Sequence, residues 1–345
     1  MDAEVVARAA LAAVPGLYRA RIRERIAAAG SARAVFAGRA PAGADLRAAE
    51  QAVRRAAEAG IRALLPESPE FPVPLRDIPD PPLLLWVRGE LPRGPALAVV
   101  GSRRPSARGR DCARAFAAEL ARDGVAIVSG LAYGIDAAAH EGALAAAGCT
   151  VAVLASGLDQ VTPTGQARLA GRILDGGGAW LSEHRPGVGA RAHHFPERNR
   201  LISGLARVTL VVEARLRSGS LWSARHALEQ GRDVAVVPGP IDTDQCRGSN
   251  ELLRDGATPI LEADDLRAAV LGPLAKRGAA PPAPGSSPAA RAVLELLAEG
   301  PCELDALSRA LGRTAAELAQ VLLELELDGR VRRAGARLAL ARTES

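Results

Sequence analysis

Four short stretches combine glycine, serine and arginine in a way that suits an anion. Gly101, Ser102 and Arg103 directly follow the apolar run ALAVV (96–100). They supply backbone N–H groups, a hydroxyl and a fork-shaped cation; a phosphate seat is one reading and a plain tight turn the other. In SGLAYG (129–134), Gly130 and Gly134 permit close backbone approach, and Tyr133 stands between them to stack or to cover the loop. Arg198, Asn199 and Arg200 follow Phe195 in FPERNRLISGLA, a loop expected to feed a helix with Asn199 as its cap. Ser218, Gly219 and Ser220 precede the helical stretch SLWSARHALE, so free N–H groups and hydroxyls make a second anion seat there.

Catalytic constellations are poorly represented. Asp136 and His140 stand four residues apart on one helix face. Without a nucleophile nearby, a structural hydrogen bond that fixes the loop is preferred to acid–base work. Glu213 ends a strand and is expected to orient Arg198 or Arg200 by an ion pair rather than act as a catalytic carboxylate. The glycine pattern is neither GxGxxG nor GxxxxGK[ST], which argues against the dinucleotide and P-loop readings. There is no GxSxG elbow. The adjacent pair His193–His194 is a poor metal site, and the four cysteines lie far apart without CxxC, so neither a metal, a cofactor nor a disulfide is expected.

These residues need a scaffold that brings strand ends together. From residue 96 onward, ALAVV, VAIVS (125–129), TVAVLAS (150–156), AWLSE (179–183), VTLVVEA (208–214) and VAVVPG (234–239) alternate with helical segments. Runs that are apolar throughout mark strands buried on both faces. Alternating βα units give an α/β fold, an extended Rossmann-like doubly wound parallel sheet with function at the strand C-termini. Residues 1–62 read as a helical module, and VPGLYRARIRERIAAAG within it has helix-hairpin-helix rhythm with Tyr18 where a turn glycine is usual. The proline-rich stretch from Pro66 to Pro95 is expected to run extended and pack against the βα units that follow it, within the Rossmann-like domain, residues 63–272. A Pro/Ala/Gly/Ser linker is expected over 273–288, and residues 289–345 follow winged-helix order.

Charge fits an anionic partner. The net charge is +5, and Lys276 is the one lysine among 44 basic residues. Such an arginine bias lowers the weight of any single arginine, yet residues 191–232 gather eight of them against Glu197, Glu213 and Glu229. No apolar run approaches the roughly 18 residues of a membrane span and the N-terminus has no basic leader, so a cytosolic protein is expected. The helix TAAELAQVLLELELD carries Glu317, Glu324, Glu326 and Asp328 and no basic residue. Phosphates would repel it as a recognition helix, so this module is expected to meet protein, while Arg330, Arg332, Arg333 and Arg337 leave its wing basic.

Five motifs in register, VGSRRPSARG, SGLAYGIDAAAHEGAL, FPERNRLISGLA, VVEARLRSGSL and GRDVAVVPGPID with GSN, resemble the DprA/Smf family of DNA-processing proteins. The resemblance spans roughly residues 70–262 and extends to the flanking helical module and winged helix. It implies a protein of natural transformation that binds single-stranded DNA, forms a homodimer and loads the RecA recombinase. By position, Arg103 would grip phosphate, Arg198, Asn199 and Arg200 would line the pocket, and Phe195 would stack on a base. Where relatives carry Y-P-x-x-N, this chain has Thr162 and Gln166, with Arg168 keeping the positive charge.

Another class of function is a nucleotide N-glycosidic-bond hydrolase of the lysine-decarboxylase-like Rossmann group. Those enzymes share PGGxGTxxE, and SGSLWSARH has no acid at the matching place, which weighs against hydrolysis. A nucleotide-binding regulator using the same pocket is a third reading.

Overall fold

Alanine-rich apolar stripes with polar caps build four N-terminal helices: α1 (Ala3–Ala12), α2 (Arg19–Ala29), α3 (Ala32–Ala37) and α4 (Leu46–Glu58). Asp2, Ser31 and Asp45 cap α1, α3 and α4 by accepting the N–H groups of Glu4, Ala34 and Ala48, donors that a helix start otherwise leaves unpaired. The computed structural model describes residues 2–14, 19–38, 40–272, 288–327, 330–334 and 337–340. Tyr18, in the turn of the helix-hairpin-helix rhythm, lies outside them.

All six apolar runs form strands of one nine-stranded sheet. The strands are β1 (Arg62–Leu64), β2 (Leu85–Gly89), β3 (Ala96–Val100), β4 (Ala126–Ser129), β5 (Thr150–Val153), β6 (Ala179–Ser182), β7 (Val208–Val211), β8 (Asp233–Val236) and β9 (Thr258–Pro259). Their order is β1-β2-β6-β5-β4-β3-β7-β8-β9. The seven strands from β6 to β9 are parallel, whereas β2 joins β6 antiparallel and β1 joins β2 antiparallel. Part of the proline-rich stretch is therefore a sheet strand: Leu83 to Val87 are buried, and residues 85–89 lie beyond the last proline of the DPP step.

The connecting helices are α5 (Ala107–Arg122), α6 (Ile135–Ala145), α7 (Ala167–Asp175), α8 (His194–Leu205), α9 (Ser220–Glu229), α10 (Asp244–Arg254) and α11 (Ala263–Leu271). Strand alternation sends Leu97 and Val99 into a core with α5, α6 and α11, and Ala98 and Val100 into a core with α8 and α9. The N-terminal helices bury Val6, Leu11 and Ile22 in a third cluster with Trp86, Leu154 and Trp180. Chain order runs outward from β3 through β4 on one side and restarts at β7 on the other, so the crevice outside β3 and β7 is the topological switch point.

The chain divides into compact units at Met1–Ala275 and Lys276–Ser345. The second unit contains α12 (Pro288–Glu299), β10 (Cys302–Glu303), α13 (Leu304–Leu311), α14 (Ala315–Leu327), β11 (Val331–Ala334) and β12 (Arg337–Leu340). Its small sheet has the order β10-β12-β11, packed on Val293, Leu307, Leu318 and Leu322. Nearly all of the expected linker, residues 273–287, lies outside the described residues. Among the described residues no helix is long and apolar enough to cross a membrane.

Candidate nucleic-acid interface

The switch-point crevice is a cleft of about 750 Å³ bounded by the loops after β3 and β7 and by α8 and α9. Gly101, Ser102 and Arg103 form one wall. The loop is braced from behind, because Ser102 N donates to Glu213 O at 2.7 Å and Ile135 N donates to Ser102 O at 3.1 Å. A side chain at Gly101 would meet Ile135 and the Glu213 carbonyl, so close packing requires glycine there. Arg103 is exposed, and its guanidinium lies 5.2 Å from the Phe195 ring centroid, a cation–π contact joining two walls.

FPERNRLISGLA departs from expectation: it is helix, not a loop feeding one. Pro196 sits in the first turn of α8, where its missing N–H costs nothing. Helical spacing then puts Phe195, Arg198, Asn199 and Ile202 on one face, which lines the cleft. Asn199 is mid-helix and does not cap it. Its Nδ2 instead donates to Gly219 O at 3.1 Å, tying α8 to the serine loop. Arg200, two residues from Arg198, points to the opposite side and is not part of the cleft. It is 5% exposed, and Nη2 donates to both Glu183 oxygens at 2.7 Å while Nε reaches Asp80 at 3.3 Å. Arg19 and Arg23 of α2 bind the same Asp80, at 2.7 and 3.1 Å, so this cluster pins the N-terminal helices to α8.

Arg198 is a buried cation beneath the cleft. Its Nη1 donates to Gly130 O at 2.7 Å and to Val153 O, and its Nε donates to Asn199 Oδ1 at 3.3 Å. Burial pushes its pKa down to about 10, with Asp136 opposing, so it stays charged at neutral pH. Gly130 does not line the cleft: a Cβ there would stand 2.5 Å from the Arg198 nitrogens, so the close approach it allows is that of Arg198. Asp136 accepts from Gly130 N and Ala132 N at 3.1 and 3.3 Å, holding the SGLAYG loop. His140 is fully buried and does not pair with it; its Nδ1 meets Thr150 Oγ1 at 2.7 Å, joining α6 to β5.

Glu213 orients neither Arg198 nor Arg200. Its carboxylate accepts from Ser106 N at 2.9 Å and from Ser106 Oγ, at the start of α5. A side chain at Gly109 would strike that carboxylate. The helix N-terminus that follows the first parallel strand, the usual phosphate seat of dinucleotide folds, is thus filled by the protein's own acid. The α9 N-terminus has no acidic residue in its first turn, and Ser218, Gly219 and Ser220 face the cleft there. Ser220 N, Leu221 N and Trp222 N donate within the loop, to Ser218 Oγ at 3.4 Å, Ser218 O at 3.1 Å and Gly219 O at 3.3 Å. Ser218 Oγ and Ser220 Oγ lie 2.8 Å apart.

Arg104, Arg215, Leu216 and Trp222 also line the cleft and were not singled out by their spacing. Trp222 carried a signal in a chain with only 3% aromatic residues. Among the described residues, no carboxylate bonds the side chains of Arg103, Arg104 or Arg215, and the one carboxylate lining the cleft is the engaged Asp136. Arg168 is exposed on α7, outside the cleft. Gln166 Nε2, two residues earlier, donates to the cleft-lining Ala132 carbonyl at 3.2 Å. His184 stacks on His194 with ring centroids 3.9 Å apart. Among the described residues no group of His, Cys, Asp and Glu is placed to hold a metal.

Residues 62–270 match the family described as DNA recombination-mediator protein A, and residues 277–337 match the DprA winged helix domain. The chain is 42% identical to Protein Smf of Escherichia coli (strain K12) over 276 residues, covering 77% of this chain and 74% of that protein. It is similar to the crystal structure of DNA processing protein A from Streptococcus pneumoniae, with a TM-score of 0.60, 36% identity, and 66% and 78% of the two chains covered. It is also similar to DNA processing protein A from Helicobacter pylori, whose structure is described for its single-stranded DNA binding mode. There the TM-score is 0.54 at 31% identity, over 60% of this chain and 93% of that one. With its main domain and its winged helix both matched, the chain belongs to the DNA recombination-mediator protein A family, DprA/Smf.

Proposed function

We propose that this protein binds single-stranded DNA in the switch-point cleft and hands it to a RecA recombinase, acting in the cytosol as a homodimer and without catalysis of its own. The carrying observation is the pairing pattern of the arginines. Arg103, Arg104 and Arg215 face the cleft with no carboxylate bonded to them, while buried Arg198 and Arg200 are spent on protein groups. Exposed cations beside the α9 N-terminus suit a phosphate backbone, and Phe195 suits a base; stacking of this kind contributes about 1–3 kcal/mol. Arg168 then meets the strand as it leaves past the Ala132 edge.

Hydrolysis of a nucleotide has less to draw on. Asp136 already accepts two backbone N–H groups, and Glu213 is used as a helix cap. A carboxylate so engaged is poorly placed as a general acid or base. The acidic α14, with Glu317, Glu324 and Glu326, suits a protein partner.

The test is fluorescence anisotropy with labelled single strands, duplex and mononucleotides across a salt series. Single strands should bind tightest, with affinity falling as salt rises. Equal or tighter duplex binding counts against the assignment, and release of free base from a nucleoside monophosphate would favour the hydrolase. Recombinase transfer is read separately, as faster filament nucleation on DNA coated with single-strand-binding protein.

A further inference from the structure

Of the three tryptophans, Trp86 is 1% exposed, Trp180 is 6% exposed, and Trp222 is 46% exposed on the cleft wall. Burying such a ring in the core is the usual use of tryptophan, so the exposed one requires a reason. Trp222 stands in the first turn of α9, two residues after Ser220. Helical side chains lean toward the helix N-terminus, which directs the indole toward the Ser218–Ser220 anion seat. Arg225, three residues on, lies 5.5 Å from the indole centroid and is itself held by Glu229 at 3.2 Å. The indole is thus braced by its own helix on one side, while the residue still lines the cleft.

Phe195 likewise stands in the first turn of its helix, α8, which packs against α9, but the guanidinium over its ring is that of Arg103 from the loop after β3. Two aromatic rings, each backed by a guanidinium, therefore line the cleft with the serine loop, whose Ser218 and Ser220 hydroxyls lie 2.8 Å apart. Bracing before a ligand arrives reduces the ordering cost of stacking.

We infer that Trp222 is a second base-stacking platform, so that the cleft holds one nucleobase against Phe195 and another against Trp222, with backbone phosphate between them at the α9 N-terminus. This rests on the single-stranded DNA reading and adds to it a site of at least two nucleotides. A stacking residue contributes through the base and not through phosphate, so its loss should lower affinity without changing the salt dependence.

The experiment titrates wild type, Trp222→Leu and Trp222→Phe with an oligothymidylate and with the same oligomer carrying abasic sites, reading anisotropy and tryptophan emission. Trp222→Leu should weaken oligothymidylate binding by about 5- to 140-fold, the equivalent of about 1–3 kcal/mol, with an unchanged salt slope. Trp222→Phe should retain most of the affinity. The difference between wild type and Trp222→Leu should vanish on the abasic oligomer, and emission quenching by DNA should be absent from Trp222→Leu. Circular dichroism checks that the half-exposed substitution leaves the fold intact.

If wild type binds oligothymidylate and Trp222→Leu binds it equally well, the platform is refuted while the DNA reading stands. Emission that follows protein concentration instead of DNA also overturns it, assigning Trp222 to a contact between copies of the chain. If wild type does not bind single strands, both readings fail.

Discussion

The guanidinium of Arg198 lies flat against the Cα of Gly130, close enough that a Cβ at residue 130 would stand 2.5 Å from its nitrogens. Arg198 cannot yield easily, since it is 5% exposed and bonded to the carbonyls of Gly130 and Val153. Gly130→Ala should therefore displace the cation from beneath the cleft. We expect a stability loss of about 1–3 kcal/mol in urea unfolding, from buried groups left unpaired, and at least a tenfold loss of oligothymidylate affinity. A fully stable Gly130→Ala protein with wild-type affinity would remove Arg198 from the account of the site.

Arg200 and Arg103 should separate stability from binding. Arg200→Met takes from Glu183 its 2.7 Å partner and leaves Arg19 at 3.9 Å, and it also removes one of the three arginines that hold Asp80. Breaking a buried pair costs about 3–5 kcal/mol; Asp80 is partly exposed, which brings the expectation to about 2–4 kcal/mol of stability. DNA affinity of the folded fraction and its salt slope should be unchanged. A large drop in affinity with little loss of stability would place Arg200 in the site after all.

The cleft arginines are predicted to act through phosphate. Single substitutions Arg103→Ala, Arg104→Ala and Arg215→Ala should each lower the steepness of log K against log salt by about 0.7, the value for one contact to a single strand. Thermal stability should hardly move, because these side chains are exposed. A slope unaltered in all three variants would show that the phosphates lie elsewhere.

Truncation after residue 272 should leave oligothymidylate affinity and salt slope unchanged, because α14 presents Glu317, Glu324 and Glu326 and no basic residue. The same truncation is expected to impair recombinase transfer. A reduced salt slope in the truncated chain would instead assign phosphate contacts to the basic wing.

Acid should destabilise the protein through two histidines. Burial holds His140 at a pKa of about 3, with the nearby Arg198 charge adding to the effect. Burial also holds His184 at about 3, with neighbouring His194 and Arg19 contributing. In the unfolded chain each takes up a proton near pH 6.5, so between about pH 6.5 and 3 the unfolded state binds more protons. Stability is then full above about pH 6.5 and falls with decreasing pH by about 1.4 kcal/mol per pH unit per histidine. His140→Asn, which keeps a donor toward Thr150, should flatten that slope in urea unfolding measured at pH 7 and 4.5. An unchanged slope would rule out His140 as its source.

The doubly wound sheet was legible in the sequence because strands buried on both faces must be apolar throughout, and ALAVV, VTLVV and their neighbours are. That same requirement made the Gly/Ser/Arg ends of β3 and β7 visible as candidates for one crevice, and two of the five family motifs, VGSRRPSARG and VVEARLRSGSL, lay in those same turns. β2 was hidden by the prolines that precede it, and β9 by its two-residue length.

What the sequence could not distinguish was which arginine does what. Arg103, Arg198 and Arg200 are chemically identical, and their roles depend on where backbone carbonyls and acids come from distant parts of the chain. Gly130 and Val153 claim Arg198, and Asp80 and Glu183 claim Arg200. No carboxylate claims Arg103, which is left to face the cleft. Glu213 was likewise recognisable as the acid at a strand end, but only the meeting of β7 with the start of α5 made it a cap for Ser106. Local pattern determined the strands and the strand-end turns, because burial acts on every residue along a strand. Tertiary structure decided the fate of each charge, because a buried ion is committed to whichever partner the fold brings within hydrogen-bonding distance.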